Sequence, residues 1–267
     1  MSLKDLINIH TNGQLELYTS KVIKRESYNI MLSDLIDDQY WNFAYLTNKN
    51  IDIKDTWEQI KNDMNANNRK PALYVMSTKN EIDFENELQE INLKCLYTDT
   101  WMINENLENF VKYKSKLDMK VVKVNKDLKT KFIQAVMEGF SGDNPDAPYE
   151  SLSEGYKRAL ENCKENGEGD YKLINYLGTY NNKAISTATV IYNKDKAIIY
   201  NVTTNKNFQK QGVCKQLMSE IVKDLVELGI TTACVQTEQG FYTEQVYKNM
   251  GFKEVMLGKA YIEKAEE

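Results

Sequence analysis

The chain of 267 residues reads as an α/β protein, an α+β mixed sheet laid out in two halves. Three observations predict it. Stretches that alternate with a period of two repeatedly give way to stretches with helical spacing, as happens when strands and helices take turns along a chain. One stretch, Lys196 to Gly229, reads clearly as strand, loop and helix: Ile198, Ile199, Tyr200 and Val202 lie among β-branched neighbours, and Val213, Leu217, Ile221, Leu225 and Leu228 then recur on one helix face. The order strand, helix, strand, helix, strand also occurs twice, which is the mark of an internal repeat. Pro71 to Ser77 and Asn92 to Ile103 are answered by Thr231 to Thr237 and Gly251 to Ile262, with nearly the same length between them.

In chain order, Leu15 to Ile30 alternates in a strand-like way, Tyr40 to Thr47 is a buried strand, and Asp55 to Met64 is helical. Pro71 to Ser77 is a strand, Glu81 to Glu90 suits a helix, and Leu93 to Ile103 is a strand. The second half opens with a strand at Met119 to Val124, an amphipathic helix at Lys126 to Phe140, a loop rich in Asn, Pro, Asp and Gly at Ser141 to Glu150, and a helix at Ser151 to Cys163. Tyr171 to Gly178 and Ala184 to Tyr192 alternate as antiparallel strands about a turn at Asn181-Asn182. Asn193-Lys194-Asp195 turns into the strand at Lys196, and Gly229 ends the long helix as a glycine just past a C-terminus does. At roughly 150 residues per domain, the length suits two domains, and the repeat puts their boundary near Leu117-Asp118: residues 1–118 and 119–267.

Composition narrows the function. Hydrophobic residues are 42% and charged residues 27%, with a net charge of −5; this is globular and offers no broad surface for nucleic acid. Cys95, Cys163, Cys214 and Cys234 form no Cys-x-x-Cys unit, so neither a structural zinc nor a redox pair is expected. His10 is the single histidine, which argues against a hydrolase built on a histidine base. The opening MSLKDLINIH has no apolar run of signal-peptide length and no stretch is long enough to span a bilayer, so a cytoplasmic location is expected.

The chemistry is expected at the strand-loop-helix. Gln209-Lys210-Gln211-Gly212 leads into the helix, and a glycine there lets backbone approach a ligand. The first amides of a helix lack intrahelical partners and sit at the positive end of its dipole, which favours a phosphate. From Asn205 to Ser219 there is no Asp or Glu, while Lys206, Lys210 and Lys215 are present. The order Gln209, Gly212, Cys214 after Tyr200-Asn201-Val202-Thr203-Thr204 resembles the Gln/Arg-x-x-Gly-x-Gly/Ala loop of GCN5-related N-acetyltransferases. Tyr247 to Phe252 resembles that family's Tyr-x-x-x-Gly-Phe ending. Cys214 stands where glycine or alanine is usual, and Gly240 where an asparagine is frequent, which removes one expected cofactor contact.

The resemblance implies two acyl-CoA N-acyltransferase-like domains in tandem, the second complete. It implies that amides of Gln209, Lys210, Gln211, Gly212, Val213, Cys214 and Lys215 hold the pyrophosphate of acetyl-CoA, and that Val202, Thr203 and Thr204 pair with its pantetheine arm. A backbone N–H near Val202 would face the tetrahedral oxyanion, and Tyr247 would protonate the leaving thiolate. Tyr247 also fits a half-buried helix aromatic, Thr203 and Thr204 plain strand formers, and Lys210 and Lys215 solvated charges. The base is open between Glu238 and a water chain, and Asp143 and Asp146 would attract a cationic amine if Ser141 to Tyr149 walls the acceptor site. The function implied is acetyl transfer to a small or peptidic primary amine, with neither nucleic acid nor membrane as partner. The alternative is a non-catalytic acyl-CoA-binding or partner-binding protein, and a weaker one is an aminoacyl or longer-acyl transferase. In the first half, NKNIDIKD between strand and helix has no glycine, and Asp55 with Glu58 has the spacing of a capping box. One acetyl-CoA per chain is therefore expected, with residues 1–118 walling the acceptor pocket or forming a homodimer.

Overall fold

The computed structural model describes residues 3–78, 84–141, 151–163 and 170–264. The first half contains α1 (Leu3–Gly13), a 3₁₀ turn at Gln14–Glu16, β1 (Lys21–Lys24), β2 (Tyr28–Leu32), β3 (Phe43–Leu46), α2 (Ile53–Ala66), β4 (Leu73–Ser77), α3 (Glu85–Glu90) and β5 (Leu93–Asn104). The second contains β6 (Lys120–Lys123), α4 (Lys126–Gly139), α5 (Glu154–Asn162), β7 (Lys172–Tyr180), β8 (Lys183–Asn193), β9 (Lys196–Thr204), α6 (Val213–Glu227), β10 (Thr232–Glu238), α7 (Tyr242–Lys248) and β11 (Lys253–Glu263).

Among the described residues all strands join one sheet of 11, in the order β1-β2-β3-β4-β11-β5-β10-β9-β8-β7-β6. The expected repeat is visible in the pairing. β3 runs parallel to β4, and β9 runs parallel to β10. Beyond these parallel pairs the halves exchange strands. β5 lies antiparallel to β10 of the second half, β11 lies antiparallel to β4 of the first, and β5 and β11 pair with each other at the centre.

One face of the sheet carries α1, α4 and α5: Leu6 and Ile9 of α1, Phe132, Ile133 and Val136 of α4, and Ala159 and Leu160 of α5 pack in one core with Trp101, Ile198 and Cys234. The other face is covered in two places. Leu217, Met218, Ile221 and Leu225 of α6 meet Ile199, Ala233 and Val235, while Ile53, Trp57, Ile60 and Met64 of α2 meet Ile30, Leu73 and Val75. Each of these fully covered large side chains contributes about 1.5–3 kcal/mol over its exposed state.

The turns follow from residue chemistry. Asn181 and Asn182, at φ 48° and 62°, make the two-residue turn between β7 and β8 that the right-handed twist of strands favours. Gly229 has φ 80°, as its place past α6 requires. Two expectations are corrected. Leu15 to Ile30 is not one alternating strand: Gln14–Glu16 is a 3₁₀ turn after α1, and Arg25 to Ser27 separates β1 from β2. In the first half the cap is Asp52, whose carboxylate accepts from the Asp55 amide, so α2 starts before Asp55 and Asp55 lies inside its first turn.

The strand exchange makes the halves interdependent. Produced alone, residues 119–267 would leave β10 without β5 and β11 without β4, with unpaired edges prone to association. Such a fragment is expected to aggregate or to melt without a cooperative transition, and co-production with residues 1–118 to restore a soluble complex. Circular dichroism and light scattering check this, and a monomeric fragment with a sharp melt would contradict it.

Candidate active site

The site begins with a fault in β9. The β8–β9 ladder shifts register between Thr187 and Thr189, opposite Asn201. Asn201 has φ 52°, a left-handed conformation that asparagine tolerates better than most residues. Its side chain is fixed on both sides: Asn201 Nδ2 donates to Thr189 Oγ1 at 2.9 Å, and the Tyr18 hydroxyl donates to Asn201 Oδ1 at 2.8 Å. Thr187 Oγ1 donates to the Asn201 carbonyl at 2.8 Å. This bulge turns β9 away from β10. Their parallel pairing covers Lys196 to Ile199 against Thr232 to Val235 and goes no further, whereas β8 follows β9 to Thr204 and β5 follows β10 to Glu238. The edges of Asn201 to Thr204 and of Gln236 to Glu238 therefore diverge around a cleft.

The cleft opens into a cavity of ≈ 280 Å³. Val202, Thr203, Thr204, Gln209, Glu238 and Tyr247 line it. So do residues of the first half that the sequence did not single out: Tyr18, Tyr40, Trp41, Tyr74, Tyr97 and Asp99. Phe140, Leu152 and Tyr156 close it from the α4–α5 side, and Phe241 and Tyr242 stand exposed among the lining residues. Asp143 and Asp146 lie outside the described residues.

Asp99 pairs with Glu238 across β5 and β10. Its Oδ2 accepts from the Tyr74 hydroxyl at 2.9 Å and from Gln236 Nε2, and Tyr74 in turn accepts from Trp101 Nε1 at 2.8 Å. Burial raises the Asp99 carboxyl to about 7 against the pull of those two donors, and Glu238 adds to the rise. Burial also raises Glu238. Gly258 of β11 makes room for this arrangement: a Cβ there would lie 1.9 Å from the Tyr74 hydroxyl oxygen. His10 shares a 2.6 Å hydrogen bond with the Tyr200 hydroxyl, and burial lowers it to about 3, so it is neutral near pH 7. Tyr247 is buried, and desolvation followed by the nearby Cys214 raises it well above its ordinary value. It therefore keeps its proton. Burial pushes Cys214 up to about 11, a thiol and not a nucleophile.

The loop before α6 has Lys210 at φ 58° and Gly212 at φ 82°. Gly212 caps α6 without a side-chain hydrogen bond, and the first chain amide bonded into the helix is that of Gln216. The amides of Val213, Cys214 and Lys215 thus have no acceptor within the helix. The sequence offers ligand approach or a tight turn as the reason for this glycine; the structure adds another. A Cβ on Gly212 would meet Ser115 Cα at 3.3 Å, because the connection between the halves lies against this turn: Ser115 N–H donates to Gln216 Oε1 and Lys116 N–H to the Gln211 carbonyl. Val213 is buried in the core, Gln211 Nε2 donates to the Asn207 carbonyl, and the Lys215 ammonium sits 4.8 Å from the Tyr113 ring centre. Lys215 thus shares its charge with an aromatic face.

Among the described residues, no group of three or more His, Cys, Asp and Glu could hold a metal ion, and no helix is long and apolar enough to cross a membrane.

Comparison with known proteins agrees with this architecture. Residues 176–261 match the family model described as FR47-like protein. The ribosomal protein bS18-alanine N-acetyltransferase of Haemophilus ducreyi is 26% identical over 91 residues, which is 34% of this chain and 63% of that protein. The chain thus spans less than two thirds of that relative's length. The solved structure of a GCN5-related N-acetyltransferase from Kribbella flavida superimposes with a TM-score of 0.70 at 12% identity, over 98% of this chain and 95% of that one. A tandem GNAT protein from the clavulanic acid biosynthesis pathway does so with a TM-score of 0.59 at 7% identity, over 95% of this chain and 86% of that one. At such identities the solved structures speak for the fold, while the matching segment from β7 to β11 carries the sequence relationship. The chain thus has the fold of GCN5-related N-acetyltransferases, and its segment 176–261 is similar in sequence to FR47-like proteins.

Proposed function

We propose that the chain is an N-acetyltransferase that moves an acetyl group from acetyl-CoA to a primary amine by direct attack. The observation that carries this reading is the divergence of β9 from β10 beside the uncapped start of α6. An extended amide chain needs an unpaired strand edge, and a pyrophosphate needs free amides on a positive helix end; Val202 to Thr204 and Gln209 line the cavity, and the start of α6 follows Gln209 in the chain. Amides of Gln209 to Lys215 are assigned to the pyrophosphate, and Val202, Thr203 and Thr204 to the pantetheine arm. Thr203 contributes through its backbone, since its Oγ1 is within 2.7 Å of Thr187 Oγ1 and buried. An N–H near Val202 would stabilise the oxyanion. Tyr247, held protonated, suits a donor to the thiolate as the carbon–sulfur bond breaks.

The first half is assigned the wall of the acceptor pocket, with the boundary after Asp118. Its helix α2 begins on the Asp52 carboxylate, which occupies a helix amide and repels phosphate. One acetyl-CoA per chain is the expected stoichiometry, and calorimetric titration giving two equivalent sites would refute it.

Thiol release from acetyl-CoA in the presence of primary amines tests the activity. Cofactor binding without amine-dependent release from any amine would favour a non-catalytic acyl-CoA-binding protein. Gly212→Val is expected to abolish coenzyme A binding. It would also lower stability by about 1–2 kcal/mol from the left-handed backbone alone, so calorimetry is read beside a melting curve; a folded variant with unchanged affinity would take the loop out of the site. Tyr247→Phe is expected to lower kcat by about 100-fold while leaving coenzyme A affinity nearly unchanged, and steady-state kinetics with wild-type kcat would make Tyr247 a packing residue.

A further inference from the structure

The acceptor side of the cavity has a chemistry of its own. Asp99 is 6% exposed, yet it lines the cavity, and both of its hydrogen bonds fall on Oδ2. Its Oδ1 accepts from no described residue. Glu238 faces it across the strand pair, and the described lining residues include no Lys or Arg. Two carboxylates on the lining, with no cation among the described lining residues, form a place that a cationic ligand complements. The lining that the first half contributes is otherwise mostly aromatic. Tyr40 and Tyr97 stack at 4.3 Å, and Trp41 lies 4.7 Å from Tyr18. Ring faces attract a cation and bury a flat apolar body. An anionic substituent would find no Lys or Arg among the described lining residues.

Resting on the acetyltransferase reading, we propose that the acceptor is a small arylalkyl ammonium without carboxylate or phosphate, anchored through its nitrogen on Asp99 and deprotonated there. The Asp99 carboxylate takes one proton from the ammonium, and the freed lone pair forms the carbon–nitrogen bond at the thioester carbonyl. The carbon–sulfur bond then breaks, and its electron pair leaves on sulfur as thiolate. The thiolate gains a proton from Tyr247, which recovers it from the second proton lost by the nitrogen. The proton on Asp99 returns to solvent, so each turnover releases one proton. This gives the last strand of the first half a catalytic residue, and sets the substrate apart from the ribosomal protein for which the Haemophilus ducreyi relative is named.

The groups facing Asp99 define its titration. They are Tyr74 from β4, Tyr97 from its own strand, Tyr40 from the segment before β3 and Glu238 from β10, with Gly258 opposite on β11; His10 of α1 is neutral beside Trp101. Burial raises Tyr40 and Tyr74, which keep their protons near neutrality. Glu238, which burial also raises, is the other carboxylate among the described lining residues.

Two measurements on the full chain test the proposal. Calorimetry at pH 8 is expected to show binding of 2-phenylethylammonium and none of 3-phenylpropionate, with affinity for the ammonium lowered at least tenfold in Asp99→Asn and coenzyme A affinity kept. Equal binding of both ligands, no binding of the ammonium, or a folded Asp99→Asn variant with wild-type affinity would overturn it. Ammonium binding of the expected kind without any acetyl transfer would instead remove the enzymatic reading and the deprotonation step, while the ammonium site would stand. Where transfer is seen, kcat/KM is expected to rise about tenfold per pH unit below pH 7 and to level above it, because the carboxylate form is the one that accepts a proton. That limb should vanish in Asp99→Asn and persist in Glu238→Gln. The reverse pattern would assign the base to Glu238 and overturn the role of Asp99.

Discussion

A sheet keeps its strands together by default, because each unpaired N–H and C=O loses a hydrogen bond. The site in this protein exists because one residue breaks that default. Asn201 adopts a left-handed conformation inside β9, and three hydrogen bonds hold it there. Beyond it β9 stays with β8 and parts from β10, so the interior of the sheet offers two open edges where a uniform ladder would offer none. One of the three bonds comes from Tyr18. The cleft of the second half is therefore shaped in part by the first.

The same dependence recurs throughout the site. Tyr156 of α5 donates to Asp38 at 2.7 Å, Tyr200 of β9 meets His10 of α1, and Gln236 of β10 meets Asp99 of β5. These contacts join the halves across the cavity, while β5 and β11 join them through the sheet. The first half thus serves as more than a scaffold beside a self-sufficient domain. Its aromatic rings and the Asp99 carboxylate line the cavity, and its connection to the second half packs on the turn that begins α6.

Much of this was legible in the sequence, and the reasons are local. The strand at Lys196 to Thr204 appears with the expected ends, and α6 begins at Val213, because alternation, a glycine and one apolar stripe all agree there. The repeat was visible in the order of elements. The exchange of β5 and β11 was not, since pairing partners depend on distant chain and a strand carries the same alternation beside either neighbour. α1 escaped notice because LKDLINIHTNG has few apolar residues and two late polar breakers; its place is set by Leu6, Ile9 and His10 packing on the sheet. Asp99 left a faint signal. Tyr97, Trp101 and Ile103 occupy alternate positions of one buried face, and Asp99 falls among them as the polar exception. Read alone, it could as well have been a satisfied core carboxylate. Its neighbours across the cavity come from β4, β10 and the segment before β3, which no local pattern brings together.

The exchanged strands also bear on how the protein is made. β4 finds its outer partner in β11, so its edge stays open while everything from α3 through α7 is being synthesised. The ladder between β4 and β11 joins residues as far apart as Leu73 and Tyr261, and closing so large a loop is slow compared with local hairpins. The first half can collapse early around α2, but it must wait with an unprotected edge for the last strand to arrive. During that interval the nascent chain is exposed to wrong pairing, and its yield in a cell should depend on translation rate and chaperone supply more than its finished stability would suggest.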